Sequence, residues 1–192
     1  SAYAIEGIKV EKERLLNLSL AYESHPDNIT PAVMGGFNVA SVHENEVKFI
    51  NKSIPRSLKA VVVVPNRPIS TTLSRKTLPY KYSKEDTIFN ISHSSLLTAA
   101  FMSENWEMLK YASADMVHQQ FRMKHMPELF EVQKTALKNG ALMSTLFGWG
   151  STFFWIGYSE DSQKLELALK EKFPHFRVMS VDFDNNGVKI EI

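Results

Sequence analysis

The stretch His25-Pro26-Asp27-Asn28 contains the residue types that could most readily do chemistry in this sequence. An imidazole, a carboxylate and an amide lie within four residues, and the glycine pair Gly35-Gly36 follows shortly after. A carboxylate beside an amide could bind an ammonium group or orient a hydroxyl group. Asp and Asn next to Pro are also ordinary turn formers, so the tetrapeptide alone is equally compatible with a simple turn.

Two arginines lie in segments that could bind an anion. A guanidinium suits a carboxylate because its planar fork makes two parallel charge-assisted hydrogen bonds. The alternative for either residue is a solvated surface arginine, the usual environment of this side chain. The segments are Ser70-Thr71-Thr72-Leu73-Ser74-Arg75-Lys76-Thr77-Leu78-Pro79 and Asp115-Met116-Val117-His118-Gln119-Gln120-Phe121-Arg122.

A third segment is rich in glycine. It reads Leu146-Phe147-Gly148-Trp149-Gly150-Ser151-Thr152 and is predicted to be a turn between two strands. Glycines in such a turn let the backbone approach another group closely. A bare Gly-x-Gly is a weak signal, so the position of the segment in the chain matters more than its letters.

Together, in this order, the segments resemble homoserine kinases, which belong to the GHMP family of small-molecule kinases. The family has a His-Pro-Asp-Asn loop, a Ser-Thr-x-x-x-Arg-x-x-Leu-Pro segment, an Asp-x-x-His-x-x-aromatic-Arg segment and a Leu-Ser-Gly-Ser-Gly-Pro-Thr turn. The resemblance covers the chain from about residue 15 to its C-terminus. This sequence departs from the family turn at three positions: Phe147 and Trp149 replace serines, and Ser151 replaces proline.

The resemblance implies phosphorylation of L-homoserine by ATP with Mg²⁺, in threonine biosynthesis. It assigns the homoserine carboxylate to Arg75 and Arg122, with Thr71 close to the site. The other implied roles are acceptor binding by His25, Asp27 and Asn28, catalytic orientation by Asp27 and Asn28, nucleotide contact by Gly148 and Gly150, and a magnesium ligand at Glu23.

The family's Gly-Leu-Gly-Ser-Ser phosphate loop has no match in these 192 residues. In the family that loop opens a helix whose N-terminus faces the nucleotide phosphates. We therefore expect the chain to be about the C-terminal two thirds of a homoserine kinase, unable to transfer phosphate by itself. The alternatives are another GHMP kinase with a different small acceptor, or a non-catalytic amino-acid-binding or regulatory module derived from one.

The predicted fold class is α+β, the C-terminal part of a GHMP kinase. Residues 1–54 are expected to be the remainder of its N-terminal α/β domain, and residues 55–192 a C-terminal domain of the ferredoxin-like, split βαβ kind. Periodicity and punctuating residues predict helices at 1–24 (broken at Gly7), from Ser83 to about 100, 104–114, 128–139 and 162–172. Strands are predicted at 37–42, 46–50, 58–64, 142–146 and 152–156, with a final hairpin of 176–183 and 188–192.

Composition excludes several other classes. A net charge of +1 does not suggest a nucleic-acid-binding surface or a polybasic membrane patch. The absence of cysteine excludes disulfides, thiolate metal sites and cysteine nucleophiles. No apolar run approaches the roughly 20 residues that cross a bilayer, and the first 14 residues are too charged for a secretory signal. The sequence thus predicts a cytoplasmic protein without a membrane or nucleic-acid partner, and the family suggests a homodimer.

Overall fold

Helices and antiparallel strands form the computed structural model, which describes residues 7, 10–66, 76–148 and 150–189. The chain divides into two compact units, one formed by Ser1–Pro55 with Phe183–Ile192 and the other by Arg56–Asp182. The predicted α+β class is confirmed. The predicted domain division at residue 54 stays a prediction.

The first unit packs helices on a two-stranded antiparallel sheet. Its elements are α1 (Lys12–Ser19), α2 (Pro26–Met34), β1 (Phe37–His43) and β2 (Glu46–Lys52). One side chain from each of α1, α2 and β2, namely Leu16, Val33 and Val47, is buried in the core of this unit.

A two-residue turn, Glu44-Asn45, joins β1 to β2, and it lies between the two strands that the sequence predicts at 37–42 and 46–50. Glu44 and Asn45 both have positive φ, at 51° and 63°. Such angles belong to the two-residue turn that matches the twist of a hairpin.

The predicted helix at 1–24 is shorter in the structure, because within the described part of that range only Lys12–Ser19 is helical.

The C-terminal segment of the described chain packs on the end of α2. The backbone N–H of Gly36 donates to the carbonyl of Asp184 at 2.8 Å, and that of Val188 donates to the carbonyl of Val33 at 3.1 Å. The side-chain amide of Asn185 both donates to and accepts from the backbone of Ile54, at 2.9 and 2.8 Å. The predicted hairpin after residue 176 is therefore wrong as far as Lys189, since backbone bonds to α2 and its glycines replace pairing with the preceding strand.

The second unit is a four-stranded antiparallel sheet with helices. Its strands are β3 (Leu58–Val64), β4 (Met143–Leu146), β5 (Phe153–Tyr158) and β6 (Arg177–Val181), in the order β4-β5-β3-β6. With α7 (Ser159–Lys172) between β5 and β6, the chain order and strand order are those of a ferredoxin-like βαββαβ unit. Its core includes Val63, Leu129, Phe153, Trp155 and Leu165.

Further helices lie between β3 and β4 in the part of the chain that the structure describes. They are α3 (Lys84–Met102), α4 (Leu109–Ala112), α5 (Gln119–Met123) and α6 (Glu128–Lys138), and a 3₁₀ turn at Trp106–Met108 precedes α4. The predicted helix at 104–114 is thus a 3₁₀ turn followed by one short α-helix. Among the described residues, no helix is long and apolar enough to cross a membrane.

Candidate functional site

Asp27 and Asn28 lie in the first turn of α2, so the expectation that they belong to a loop is wrong. Pro26 occupies the first helical position, where its fixed φ suits the helix and its missing N–H costs nothing. Pro31 lies inside the same helix. Since it has no N–H, the carbonyl of Asp27, four residues earlier, receives no α-helical hydrogen bond.

The predicted magnesium ligand Glu23 contacts the predicted acceptor residue His25. One oxygen of Glu23 accepts the backbone N–H of His25 at 3.0 Å and lies 2.7 Å from its ring Nδ1. The side chains of His25 and Glu23 are 66% and 44% exposed. Asn28 donates to Asp27 at 3.5 Å, and both side chains are exposed. The first unit therefore brings four predicted site residues together at the start of α2.

Arg122 is buried, with 4% of its surface exposed, so the alternative of a solvated surface arginine is wrong. Its Nη2 donates to the carbonyl of Gly150 at 2.8 Å. Burial lowers the pKa of the guanidinium, and the nearby Asp115 carboxylate partly offsets that effect. An arginine side chain stays protonated even when its pKa is lowered in this way, so Arg122 remains a cation. The contact joins two segments that the sequence singled out separately.

Asp115 holds the start of the helix that carries Arg122. Its carboxylate accepts the backbone N–H groups of Val117 at 2.8 Å, His118 at 3.0 and 3.1 Å, and Gln119 at 2.6 Å. Burial alone would raise the pKa of this carboxyl, but hydrogen bonds from Asn90 and the backbone outweigh burial and lower it. The carboxylate therefore caps α5 in the way that an N-terminal acid satisfies the first N–H groups of a helix.

The glycine-rich turn joins β4 to β5. The N–H of Phe147 donates to the carbonyl of Thr152 at 2.8 Å and closes the turn. Gly148 has φ of +54°, which favours glycine, and no described atom beyond its chain neighbours lies within 4 Å of an added Cβ. At Gly150 the one described atom that an added Cβ would meet is the backbone N of Thr152, at 4.0 Å. Another group can therefore approach this backbone closely.

The structure describes two of the three residues that depart from the family turn, Phe147 and Ser151. Phe147 is 62% exposed, and its ring lies 6.2 Å from that of Phe154. Ser151 is buried. Trp149 lies outside the described residues, as do the predicted substrate residues Thr71 and Arg75.

Sequence reasoning missed Asn90, on α3, which bonds to Asp115. Its only signal was an amide inside a long helix, where Asn is a poor helix former.

In residues 10–66, 76–148 and 150–189, no group of three or more His, Asp or Glu could hold a metal ion. A single carboxylate such as Glu23 still suits Mg²⁺, which relies mainly on substrate phosphates and water.

Comparison with models of known protein families finds none that matches. Individual proteins match strongly. The chain is similar to a homoserine kinase of Aliarcobacter butzleri, with 81% identity over 192 residues, which are 100% of this chain and 66% of that protein. It is 59% identical over 191 residues to a homoserine kinase of Nitratiruptor, covering 100% of this chain and 65% of that protein. The chain thus spans slightly less than two thirds of the length of these curated relatives.

A solved structure has a similar fold. The chain resembles the crystal structure of a homoserine kinase from Cytophaga hutchinsonii with a TM-score of 0.89 and 22% identity. The match covers 97% of this chain and 62% of that one. At this identity the likeness speaks for the fold alone.

Proposed function

Because the chain belongs to the homoserine kinase family, we propose that the protein transfers a phosphoryl group from ATP to the hydroxyl of L-homoserine. The product is O-phospho-L-homoserine, an intermediate of threonine biosynthesis. The observation that carries the proposal is the 81% identity to a homoserine kinase over every residue of the chain. Cytoplasmic location and a homodimer are part of the proposal, since the family suggests both.

The acceptor's carboxylate is bound by Arg122, together with Arg75. Two features of Arg122 support this role: the guanidinium is buried, so its charge is poorly screened, and its Nη2 is already oriented by the carbonyl of Gly150. A pre-oriented fork loses little conformational entropy on binding a carboxylate. Thr71 is assigned to the same site through its place in the family segment.

The acceptor's ammonium and hydroxyl groups are bound by His25, Asp27 and Asn28. Asp27 offers a carboxylate, and its main-chain carbonyl lacks an α-helical hydrogen bond because Pro31 cannot donate one. Asn28 offers both a donor and an acceptor at the same helix end. These groups orient the hydroxyl for attack without forming a covalent bond to it.

The donor side of the reaction comes from ATP and Mg²⁺, which supply the transferable phosphoryl group and neutralise its charge. Among the described residues, nothing crowds the backbone at Gly148 and Gly150, so a nucleotide could approach it. Glu23 provides a carboxylate for the cation, and its contact with His25 fixes the orientation of one oxygen. The chain's own contribution is to position and to stabilise charge, which is the main part of catalysis in phosphoryl transfer.

The test is an acceptor panel with the protein expressed from its complete reading frame. L-Homoserine, L-serine, L-threonine, mevalonate and galactose are each incubated with ATP and Mg²⁺, and phosphorylated products are identified by ³¹P NMR and mass spectrometry. We expect efficient turnover of L-homoserine and little of the rest. Preference for an acceptor that lacks a carboxylate would contradict the role given to the arginines and would favour a different GHMP kinase.

A matched pair of variants tests the helix start within the same panel. Asp27→Asn removes the charge of a proposed catalytic residue, whereas Asp86→Asn removes an acid from the first turn of α3. We expect the first to reduce homoserine turnover strongly and the second to leave it unchanged. Equal activity of the two variants would remove Asp27 from the site.

A further inference from the structure

Asn90 lies inside the long helix α3, where its side chain reaches out to a neighbouring segment. Its Nδ2 donates to Oδ1 of Asp115 at 2.9 Å, and its Oδ1 accepts the backbone N–H of Met116 at 2.8 Å. Both ends of the amide are therefore used on two consecutive residues. Asn is poorly suited to a helix interior, so the position is explained better by these contacts than by helix stability.

The bond from Asn90 fixes the carboxylate of Asp115, which also accepts hydrogen bonds from the backbone. Asp115 accepts from the backbone N–H groups of Val117, His118 and Gln119 at the start of α5. A carboxylate has about four lone-pair sites. Oδ2 accepts from His118 and Gln119, and Oδ1 accepts from Val117 and from the amide of Asn90. Asn90 thus sets the rotation of the carboxylate that caps α5.

Helix α5 depends on that cap. It contains only five residues, and a helix this short has no stability of its own in water. Arg122 is its fourth residue, and the guanidinium reaches the carbonyl of Gly150. A continuous series of hydrogen bonds therefore leads from Asn90 through Asp115 and α5 to Arg122 and the glycine-rich turn, all within the second unit.

From this series we propose that Asn90 is a positioning residue for Arg122, and that it sets the affinity of the protein for the carboxylate of its acceptor. The inference rests on the proposed function. Asn90 does not itself touch the acceptor; it acts by holding the cap of α5, so the guanidinium keeps one orientation. The bond from the Phe147 N–H to the Thr152 carbonyl closes the glycine-rich turn without Arg122, so the contacts proposed for the donor nucleotide at Gly148 and Gly150 do not depend on this series.

Kinetics of three variants of the protein from its complete reading frame test the proposal. Asn90→Ala removes both amide contacts. Asn139→Ala is the matched control, because it also removes an amide-to-backbone bond in the second unit, from Asn139 to the carbonyl of Thr135 at 2.8 Å, at the end of α6. We expect Asn90→Ala to raise the KM for homoserine about tenfold, a change of about 1.4 kcal/mol, with the KM for ATP and the behaviour of the control unchanged.

The third variant, Asn90→Asp, gives a signature that a purely structural role would not produce. It places a second carboxyl group against Asp115, and two carboxyls this close share a proton. The protonated form can donate as the amide does, whereas full ionisation makes the pair repel. We expect the KM for homoserine in this variant to rise as the pH is raised, relative to wild type, and the Asn90→Ala variant to show no such trend.

The outcomes separate the two proposals. Absence of homoserine turnover in the wild-type protein would overturn the proposed function, and this inference with it. If wild type is active, a fall in thermal stability of Asn90→Ala with both KM values unchanged, or an equal rise of both KM values, overturns the positioning role alone. A selective rise of the homoserine KM together with the pH trend of Asn90→Asp supports it.

Discussion

Replacing Asp115 by Asn should destabilise the second unit and weaken acceptor binding together. The substituted amide keeps one oxygen, which can retain the contacts of Oδ1 with Asn90 and Val117. Its NH₂ group then takes the place of Oδ2, which accepts from His118 and, at 2.6 Å, from Gln119. The N–H of Gln119 therefore loses its acceptor.

The size of the effect follows from these contacts. A hydrogen bond to a charged group contributes about 1.5–3 kcal/mol, and a charge at a helix start about 0.3–1 kcal/mol. We expect a loss of about 3 kcal/mol in the free energy of unfolding, which corresponds to a fall of roughly 6–12 °C in Tm for a chain of this size. Asp161→Asn, in the first turn of α7, is the control and should cost well under about 1 kcal/mol.

The assay is urea denaturation of the 192-residue chain at several pH values. The pKa of Asp115 is lowered in the folded protein, so the folded state binds fewer protons than the unfolded state near that pKa. Its contribution is present above the unfolded pKa of about 3.9 and is lost as the pH falls through the folded value. The difference between wild type and Asp115→Asn should therefore be full at neutral pH and shrink below about pH 4. A difference at neutral pH no larger than that of Asp161→Asn would refute the capping role.

Three further substitutions test other parts of the structure. Gly187→Ala should lower the free energy of unfolding by at least about 2 kcal/mol, since φ is +63° and the added Cβ would overlap the carbonyl oxygen of Val33; an unchanged denaturation midpoint would contradict the packing of the C-terminal segment. Ser83→Ala should cost about 1 kcal/mol, because Ser83 accepts the N–H of Asp86 at 2.9 Å, and a fall in helical circular dichroism on mild heating would report it. Phe147→Ser should change stability by less than about 0.5 kcal/mol, because the ring is largely exposed; a larger loss in thermal denaturation would show that the ring has a packing role.

Local signals in the sequence located most elements of the second unit. Ser83 is the N-cap of α3 and Pro127 precedes α6, as capping and proline rules indicate. Gly140, with φ of +95°, follows the end of α6. These rules work because each depends on backbone groups within a few residues, so no knowledge of distant packing is needed.

The errors arise where distant contacts decide. The run Asp184-Asn185-Asn186-Gly187 has the composition of a hairpin turn, yet its backbone bonds to the end of α2 instead. Asp27 and Asn28 beside Pro26 suggested a turn, whereas Pro26 suits a helix start and Pro31 is accommodated within the same helix. Neither outcome can be inferred from neighbours in sequence alone.

In the candidate site too, the sequence predicted local features but not long-range contacts. Residue types and order pointed to Arg122 and to Gly150, but not to the 2.8 Å bond between them. Nor could the sequence indicate that the side-chain amide of Asn90 donates a hydrogen bond to Asp115, because the two residues become neighbours only after folding. Motifs identified which groups do chemistry, and the fold identified which groups position them.

The most direct test of the account pairs a change in Arg122 with a change in the substrate. Wild-type protein and Arg122→Met, both from the complete reading frame, are compared on L-homoserine and on 3-aminopropan-1-ol, which lacks only the carboxylate. Loss of a charge-assisted contact of about 3 kcal/mol should reduce kcat/KM for homoserine about a hundredfold, and should leave kcat/KM for the aminoalcohol nearly unchanged. An equal loss on both substrates would contradict the account, because Arg122 would then support only the glycine-rich turn.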